Sequence, residues 1–432
     1  MSDLIDAFQE IVDDVDAAVE DRLERVDEKI QEAQEALARE LNQSAAPVLS
    51  WLRNVKPIIT TPLFAIVLRY DDVVEVLGRH DRFSVALYEP KMLAITGPFI
   101  LGLDDTPLYR HDDAALHRAI RRDDLDRIGG IISRAAEVRL EAVSDGETVN
   151  VVDVIDHAVA VTIAEYFGVP GPDAGTLVRW AKMLFHEIFI NVMNDSDVRE
   201  PALEVAAEMR PYIDRLIEQR KAQMTADSGA EPPDVLGRLV ALQGSEPDLD
   251  DAAIRHNLIG LITGWIPTVS KAMTLAIDEL LNRPDQLAGA TDAARAGRTD
   301  VVSAYVFEAL RFQPQNAGLL RKCEESTIIA RGTTREAEID KGAVVFVGTQ
   351  AAMMDPEAFP EPKQFKTDRP YESYLHFGHG LHRCIGEPIN RIQMPALATA
   401  ILKRGIRRHD DGQLEWNGPF PSGLSVVLGT DG

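Results

Sequence analysis

Cysteine is nearly missing from this chain: Cys323 and Cys384 are the only two. Two cannot build a disulfide framework, and so sparse a set fits a reducing compartment. Positive charge is also short. Forty-five Lys and Arg face 70 Asp and Glu, for a net charge of −25. That balance argues against nucleic acid or an anionic membrane as main partner, since both demand basic surface, although a local basic face is still allowed. Long hydrophobic runs are missing as well. No window approaches about 18 uninterrupted apolar residues, so no transmembrane anchor is expected. The opening Met1-Ser2-Asp3-Leu4-Ile5-Asp6 has no basic region and no apolar run, so no signal peptide is expected either. The chain reads as soluble and cytoplasmic. There is no internal repeat, no low-complexity block and no linker that separates two cores. Hydrophobic residues still make up 45% of the 432, enough for one large core.

The pattern that remains is mostly helical. Residues 3 to 43 read as one long helix or two, with Phe8, Ile11, Val12, Val15, Val19, Leu23, Val26, Ile30, Ala33 and Leu37 spaced by three or four. That narrow stripe packs on the chain's own body or in a coiled coil. Two strands follow around Pro62, at 57–61 and 63–68, and Asp71 or Asp72 is expected to cap a helix through Leu77. Residues 80 to 104 read as an apolar covering loop. From 105 to about 240 the pattern is helical, punctuated at Gly129-Gly130, at residues 168–172 and at Asn194-Asp195, with a polar linker from Thr225 to Pro233. A long helix over about Asp250 to Asn282 is apolar all round in its middle, the mark of a buried central helix. Gly264 and Pro267 predict a kink there. Another helix runs from Thr299 to Phe312. Short β pieces at 326–330 and 343–347 and an irregular Pro-rich stretch from Asp355 to Pro370 complete the pattern. The fold class is mainly α with a small β part. The division expected is a helical extension over 1–45 and one large domain over 46–432.

The chemistry gathers near the C-terminal end, in Phe377-Gly378-His379-Gly380-Leu381-His382-Arg383-Cys384-Ile385-Gly386. Glycines let the backbone press against a flat ligand and point N–H groups at the sulfur. A helix over roughly Pro388 to Lys403 aims its positive end back at Cys384, which lowers a thiol's pKa. By itself the cysteine reads first as a buried free thiol beside a glycine loop. Upstream stands Glu308-Ala309-Leu310-Arg311, an acid and a base on one helix face, then Arg321, then Arg369-Pro370.

In this order and spacing these pieces resemble the cytochrome P-450 family of heme-thiolate enzymes. The loop matches that family's Phe-Gly-x-Gly-x-His-x-Cys-x-Gly at every fixed position. The resemblance runs from about Pro57 to the C-terminus and is strongest from residue 300 onward. It implies a heme b cofactor held between the long central helix and the helix after the loop. It implies Cys384 as the axial iron ligand, with Phe377, Gly378, Gly380 and Gly386 forming the heme-contacting loop. His382 and Arg321 match positions that bind heme propionates, and Glu308, Arg311 and Arg369 match a structural network. Near the first heme-binding helix the match is poor. Tyr109 stands where the family has His and Asp113 where it has Arg, with Arg110, His111, His117 or Arg118 as substitutes.

The central helix departs from the family where it matters most. The family's pattern there is Ala/Gly-Gly-x-Asp/Glu-Thr, whose acid and alcohol relay protons. The matching stretch is Gly264-Trp265-Ile266-Pro267-Thr268: Thr268 is kept, Pro267 replaces the acid and Trp265 a small residue. The family default is a monooxygenase oxidising an apolar small molecule with dioxygen. One alternative is an enzyme that uses a hydroperoxide, as an isomerase, lyase, dehydratase or peroxygenase. Another is a heme sensor or carrier without turnover. The expected pocket is lined by Leu87, Phe99, Leu261, Gly264, Trp265, Thr268, Leu319 and Phe420, mostly apolar. No flavin or iron–sulfur domain is present, so a monooxygenase would draw electrons from a separate ferredoxin or reductase docking near Lys363, Lys366, Arg383 and Arg391.

Overall fold

The computed structural model describes residues 46–429, apart from residues 193, 227–230, 247 and 411. The amphipathic stretch over 3–43 and the division at residue 45 lie outside these described residues. The chain folds as two compact units, each discontinuous in sequence.

The first unit comprises residues 46–87, 316–365 and 369–383. Its centre is a five-stranded sheet in the order Ile58–Thr60, Phe64–Val67, Val344–Val347, Leu319–Cys323, Phe83–Ser84. The first two strands form the expected hairpin, with Ile58 opposite Val67 and Thr60 opposite Ala65. The third is parallel to the second, in register from Phe64–Val344 to Val67–Val347. Side chains alternate faces along a strand, and here both faces are apolar. Ala65, Val67, Val345 and Val347 pack with Val73, Leu77 and Phe83 on one side. Ile59, Ile66 and Phe346 pack with Leu49 and Leu52 on the other. The helix Tyr70–Gly78 is not capped by Asp71 or Asp72, which sit in its first turn. Asp355 accepts from the Tyr70 N–H at 3.1 Å instead, a distant residue serving an orphan N–H of the first turn.

The second unit comprises residues 88–315, 366–368 and 384–432 and holds most of the helices. Its axis is Asp251–Leu281, opened by Asp250, whose carboxylate accepts from the Ala253 N–H. This helix is long and apolar enough to cross a membrane by length and composition, yet 89% of its apolar window is buried inside the protein. It is a core helix, unbroken through Pro267. Around it stand Pro107–Ala119, Leu125–Glu141, Val151–Thr162, Ala174–Phe185, Ser196–Ala226, Val235–Leu242, Pro284–Arg295, Thr299–Phe312 and Glu387–Leu402. A three-stranded sheet, Thr148–Asn150, Ser425–Leu428 and Ile406–Arg408, and a hairpin, Glu415–Asn417 with Phe420–Gly423, complete it.

Two expectations need correction. Residues 80–104 are not a loop: they carry the strand Phe83–Ser84, the helix Glu89–Ile95 and a 3₁₀ turn Ile100–Gly102, with Phe83, Met92, Phe99 and Ile100 buried. Tertiary burial organises what looks irregular from local pattern. Gly129-Gly130 does not punctuate a helix but lies inside Leu125–Glu141. A Cβ on Gly129 would come within 2.9 Å of Ile392, so the glycine is there for close helix packing.

Candidate active site

The cysteine loop is shaped by its glycines. Gly380 sits at φ +73°, and a Cβ there would stand 2.4 Å from the Leu77 carbonyl oxygen. No other residue fits that position. The Arg383 N–H closes the turn on the Gly380 carbonyl at 3.1 Å. Gly378, also in the left-handed region, leaves 3.6 Å to the Leu319 side chain. Phe377 and His382 are half-buried. Arg321, on the strand Leu319–Cys323, is buried and donates to the Leu320 carbonyl at 2.8 Å.

Cys384 sits two residues before Gly386, which starts the helix Glu387–Leu402. The peptide dipoles of Gly386 and Glu387 lie beside its sulfur and favour the anion, as expected from the helix N-terminus, while the Glu387 N–H itself donates to the Cys384 carbonyl at 3.1 Å. Burial is the larger effect. It pushes the thiol up to about 11, with the Glu387 carboxylate adding to it. The expectation of a lowered thiol pKa is therefore corrected: desolvation outweighs two peptide dipoles. A metal cation reverses that balance, because a coordinated thiol is deprotonated outright. Among the described residues no group of three His, Cys, Asp or Glu converges on a metal position. A lone thiolate beside a glycine loop suits a metal that arrives with its own ring of ligands, so the donor set fits heme.

Trp265 reaches this place from the central helix. A Cβ on Gly386 would lie 3.6 Å from the Cys384 Sγ and 3.7 Å from the Trp265 ring. The indole is buried and meets Phe167 edge to face at 4.9 Å between centroids. Its Nε1 is buried with no hydrogen-bond partner. The Thr268 hydroxyl donates to the Gly264 carbonyl at 2.6 Å, with the Trp265 carbonyl at 3.1 Å. Pro267 has no N–H to offer the Thr263 carbonyl, and the Thr263 hydroxyl is itself buried without a partner.

The same helix is notched by small residues. At Gly260 a Cβ would enter the Phe99 ring at 2.4 Å, and at Gly264 it would touch Leu101 at 3.8 Å. The ring of His256 closes against Gly97, so the segment 97–101 lies along positions 256, 260 and 264. The i, i+4, i+8 spacing puts these three positions on one helix face, a signal the sequence carries, whereas the partner segment carries none. Leu261 is buried nearby in sequence. Phe420 stands elsewhere, lining a cavity of about 830 Å³ with Val152, Val178, Lys182 and His186. Phe99, Leu261, Gly264 and Thr268 do not line that cavity. Leu87 and Leu319 belong to the first unit and are half-buried.

Glu308 and Arg311 form a two-point ion pair at 2.9 and 2.7 Å, both side chains wholly buried. The Lys366 N–H adds a bond to the same carboxylate at 2.9 Å. Arg369 gathers the irregular stretch by donating to the Pro360, Glu361 and Gln364 carbonyls at 3.0, 3.1 and 3.2 Å. In the early helix Pro107–Ala119, Tyr109 is buried, and burial pushes its phenol up to about 12. The basic side chains near it in sequence have partners: Arg110 with Asp105, His111 with Asp112, and Arg118 with Glu246. His117 is exposed and bonds its own helix at the Asp113 carbonyl.

The profile of the Cytochrome P-450 family matches residues 176–404. Mycinamicin IV hydroxylase/epoxidase of Micromonospora griseorubida is 25% identical over 367 residues, 82% of this chain and 85% of that one. Linoleate diol synthase of Gaeumannomyces graminis is 42% identical over 77 residues, 18% of this chain and 7% of that one. Among solved structures, ligand-free CYP164A2 of Mycobacterium smegmatis superposes with a TM-score of 0.76 at 22% identity, over 91% of this chain and all of that one. With more than half its length matched by the family profile, this chain belongs to the cytochrome P-450 family of heme-thiolate oxidoreductases, and its cofactor is heme b.

Proposed function

We propose that this chain is a cytoplasmic monooxygenase that oxidises an apolar small molecule with dioxygen and electrons from separate redox proteins. In this reading Cys384 is the iron ligand, and Phe377, Gly378, Gly380 and Gly386 shape the loop against the porphyrin. His382 and Arg321 hold the propionates through charge-assisted bonds. Glu308, Arg311 and Arg369 keep the surrounding backbone in place. Heme b supplies an iron that can cleave an O–O bond once a thiolate pushes electron density onto it. The observation that carries the reading is the Cys384 sulfur, set before the N-terminus of the helix Glu387–Leu402 with the Gly386 and Glu387 peptide dipoles beside it. Those dipoles steady the charge that the ligand must hold. Thr268 spends its own proton on Gly264, so its oxygen accepts a hydrogen bond from an ordered water. Water takes over the proton delivery that Pro267 cannot perform. Phe99, Leu261 and Gly264 present apolar surface to the substrate. Exposed Arg383 and Arg391 flank Cys384 in sequence and offer positive charge to an acidic electron donor.

A second reading has a hydroperoxide as oxidant. Two observations favour it: Pro267 stands where the acid is needed, and a short stretch is similar to a linoleate diol synthase. One experiment separates the two. The heme-loaded protein, reduced under CO, is expected to show the Soret band of thiolate ligation, and Cys384→Ser is expected to lose it. Product is then compared with an apolar substrate library plus an electron-donor system, and with a lipid hydroperoxide alone. Consumption of the hydroperoxide alone, with no donor-dependent product, would overturn the monooxygenase reading. Under the first reading Pro267→Asp raises the rate of donor-dependent product formation by about a hundredfold, the low side of what general acid catalysis contributes.

A further inference from the structure

A row of aromatic rings leads away from the cysteine loop. It begins at Trp265, whose ring lies against Gly386. It passes to Phe167 at 4.9 Å and on to Tyr166 at 5.4 Å, each contact edge to face. Tyr166 and Phe167 are neighbours on the π-helical turn Ile163–Phe167, which turns two successive aromatic residues into the core. Such turns often mark functional places. All three rings are buried. The row ends on chemistry suited to a proton. The Tyr166 hydroxyl donates to the Asp124 carboxylate at 3.3 Å and accepts from the Arg121 N–H at 3.2 Å. Asp124 in turn bonds Arg238 at 2.5 Å and is 15% exposed, so it reaches solvent. The guanidiniums of Arg127 and Arg238 lie 5.8 and 5.9 Å from the Tyr166 ring.

Those two cations decide what the ring can do. A tyrosine cation radical beneath two guanidiniums is repelled, so an electron leaves Tyr166 only if its proton leaves too. Asp124 is the acceptor in place. The Trp265 N–H has no partner, so an oxidised indole there keeps its proton as a radical cation.

We propose that Trp265 and Tyr166 form an electron-donating relay across Phe167, which discharges the active site when a hydroperoxide is reduced with no substrate in place. The relay rests on the heme-thiolate reading above. Reduction of one hydroperoxide to an alcohol and water takes two electrons and two protons. The first electron leaves Trp265 and is replaced by one from Tyr166, whose phenolic proton passes to Asp124 and then to solvent. The second electron leaves Trp265. Tyr166 ends as a neutral phenoxyl radical and Trp265 as an indole radical cation. Both protons consumed are drawn from solvent, which regains the one released by Tyr166, so the net uptake is one proton.

The test mixes the substrate-free ferric holoenzyme with cumene hydroperoxide, freezes it within milliseconds and records the electron paramagnetic resonance spectrum. A tyrosyl signal that narrows with ring-deuterated tyrosine is expected. Tyr166→Phe should abolish it and leave the indole signal, while Trp265→Phe should abolish both. The CO spectrum is recorded on each variant. A spectrum without thiolate ligation in the parent protein sinks the heme-thiolate reading and the relay together. A thiolate spectrum with no tyrosyl radical, or with one unchanged in both variants, sinks the relay alone.

Discussion

The helix Thr299–Phe312 and the central helix Asp251–Leu281 both bury charge, but they do it in opposite ways. On the first, Glu308 and Arg311 sit fully enclosed and satisfy each other through two short bonds, with a backbone N–H added. On the second, Lys271 is 5% exposed, yet its ammonium has no ion-pair or hydrogen-bond partner among the described residues. It lies 5.7 Å from the centre of the Trp416 ring, and burial pushes its pKa down to about 8. The Thr263 hydroxyl and the Trp265 N–H on the same helix also lack partners. The first is an internally satisfied scaffold helix, while the central helix keeps polar groups unspent inside the core. Unspent groups of this kind persist because the surrounding fold holds them there.

The comparison breaks most readily at its satisfied end. Glu308→Ala would leave the Arg311 guanidinium buried without its carboxylate, and removing one member of such a pair costs about 3–5 kcal/mol. Urea denaturation should show that loss, together with poor recovery of heme-loaded protein. A change below about 1 kcal/mol, the size of a surface pair, would mean that Arg311 is not held by Glu308, and the contrast between the helices would collapse.

At the unsatisfied end the effect is smaller and carries a pH signature. Lys271 titrates near 10.5 when unfolded and at about 8 when folded. Between those values the unfolded chain binds more protons, so stability rises with pH across that window. Below about 8 the folded protein carries the whole penalty, about 3 kcal/mol at 1.36 kcal/mol per pKa unit. Lys271→Met should stabilise the protein at neutral pH by up to that amount and flatten the slope between pH 8 and 10.5. A parent protein with no such slope would show that Trp416 and local water already compensate the ammonium.

How much of this was legible depended on how local each signal was. The cysteine loop could be read because its glycines, His382 and Cys384 work at fixed short spacings, and a positive φ at Gly380 is a property of its own turn. Glu308 and Arg311 were legible for the same reason, one helical turn apart. The interior of 80–104 was not, because Phe83 and Phe99 become ordered only through distant partners. Asp355 as the cap of a helix at Tyr70 lay 285 positions away. Phe167 carried no signal at all: nothing in its sequence neighbourhood says that it will face Trp265. The raised thiol pKa at Cys384 was hidden for a related reason. The helix N-terminus is visible in sequence, whereas burial is not.

The smallest expected effect tests the notch that the central helix has and the scaffold helix lacks. Gly260 faces the Phe99 ring so closely that a Cβ would overlap it at 2.4 to 2.5 Å, and an aromatic ring cannot bend away like a flexible side-chain end. Two terms oppose each other in Gly260→Ala. Replacing an interior helical glycine gains about 1 kcal/mol of helix propensity. Forcing a methyl into a packed contact costs about 1–3 kcal/mol. The net loss should be about 1 kcal/mol, visible as a small drop in the denaturation midpoint. Phe99 should shift at the same time, so the Soret response to bulky apolar ligands should change while that to small ones does not. Truncating the ring in Gly260→Ala/Phe99→Ala removes the clash, so the double variant should lie above the sum of the singles. Additive losses would mean that Phe99 does not occupy the notch, and the segment 97–101 would then have to cover the helix by some other contact.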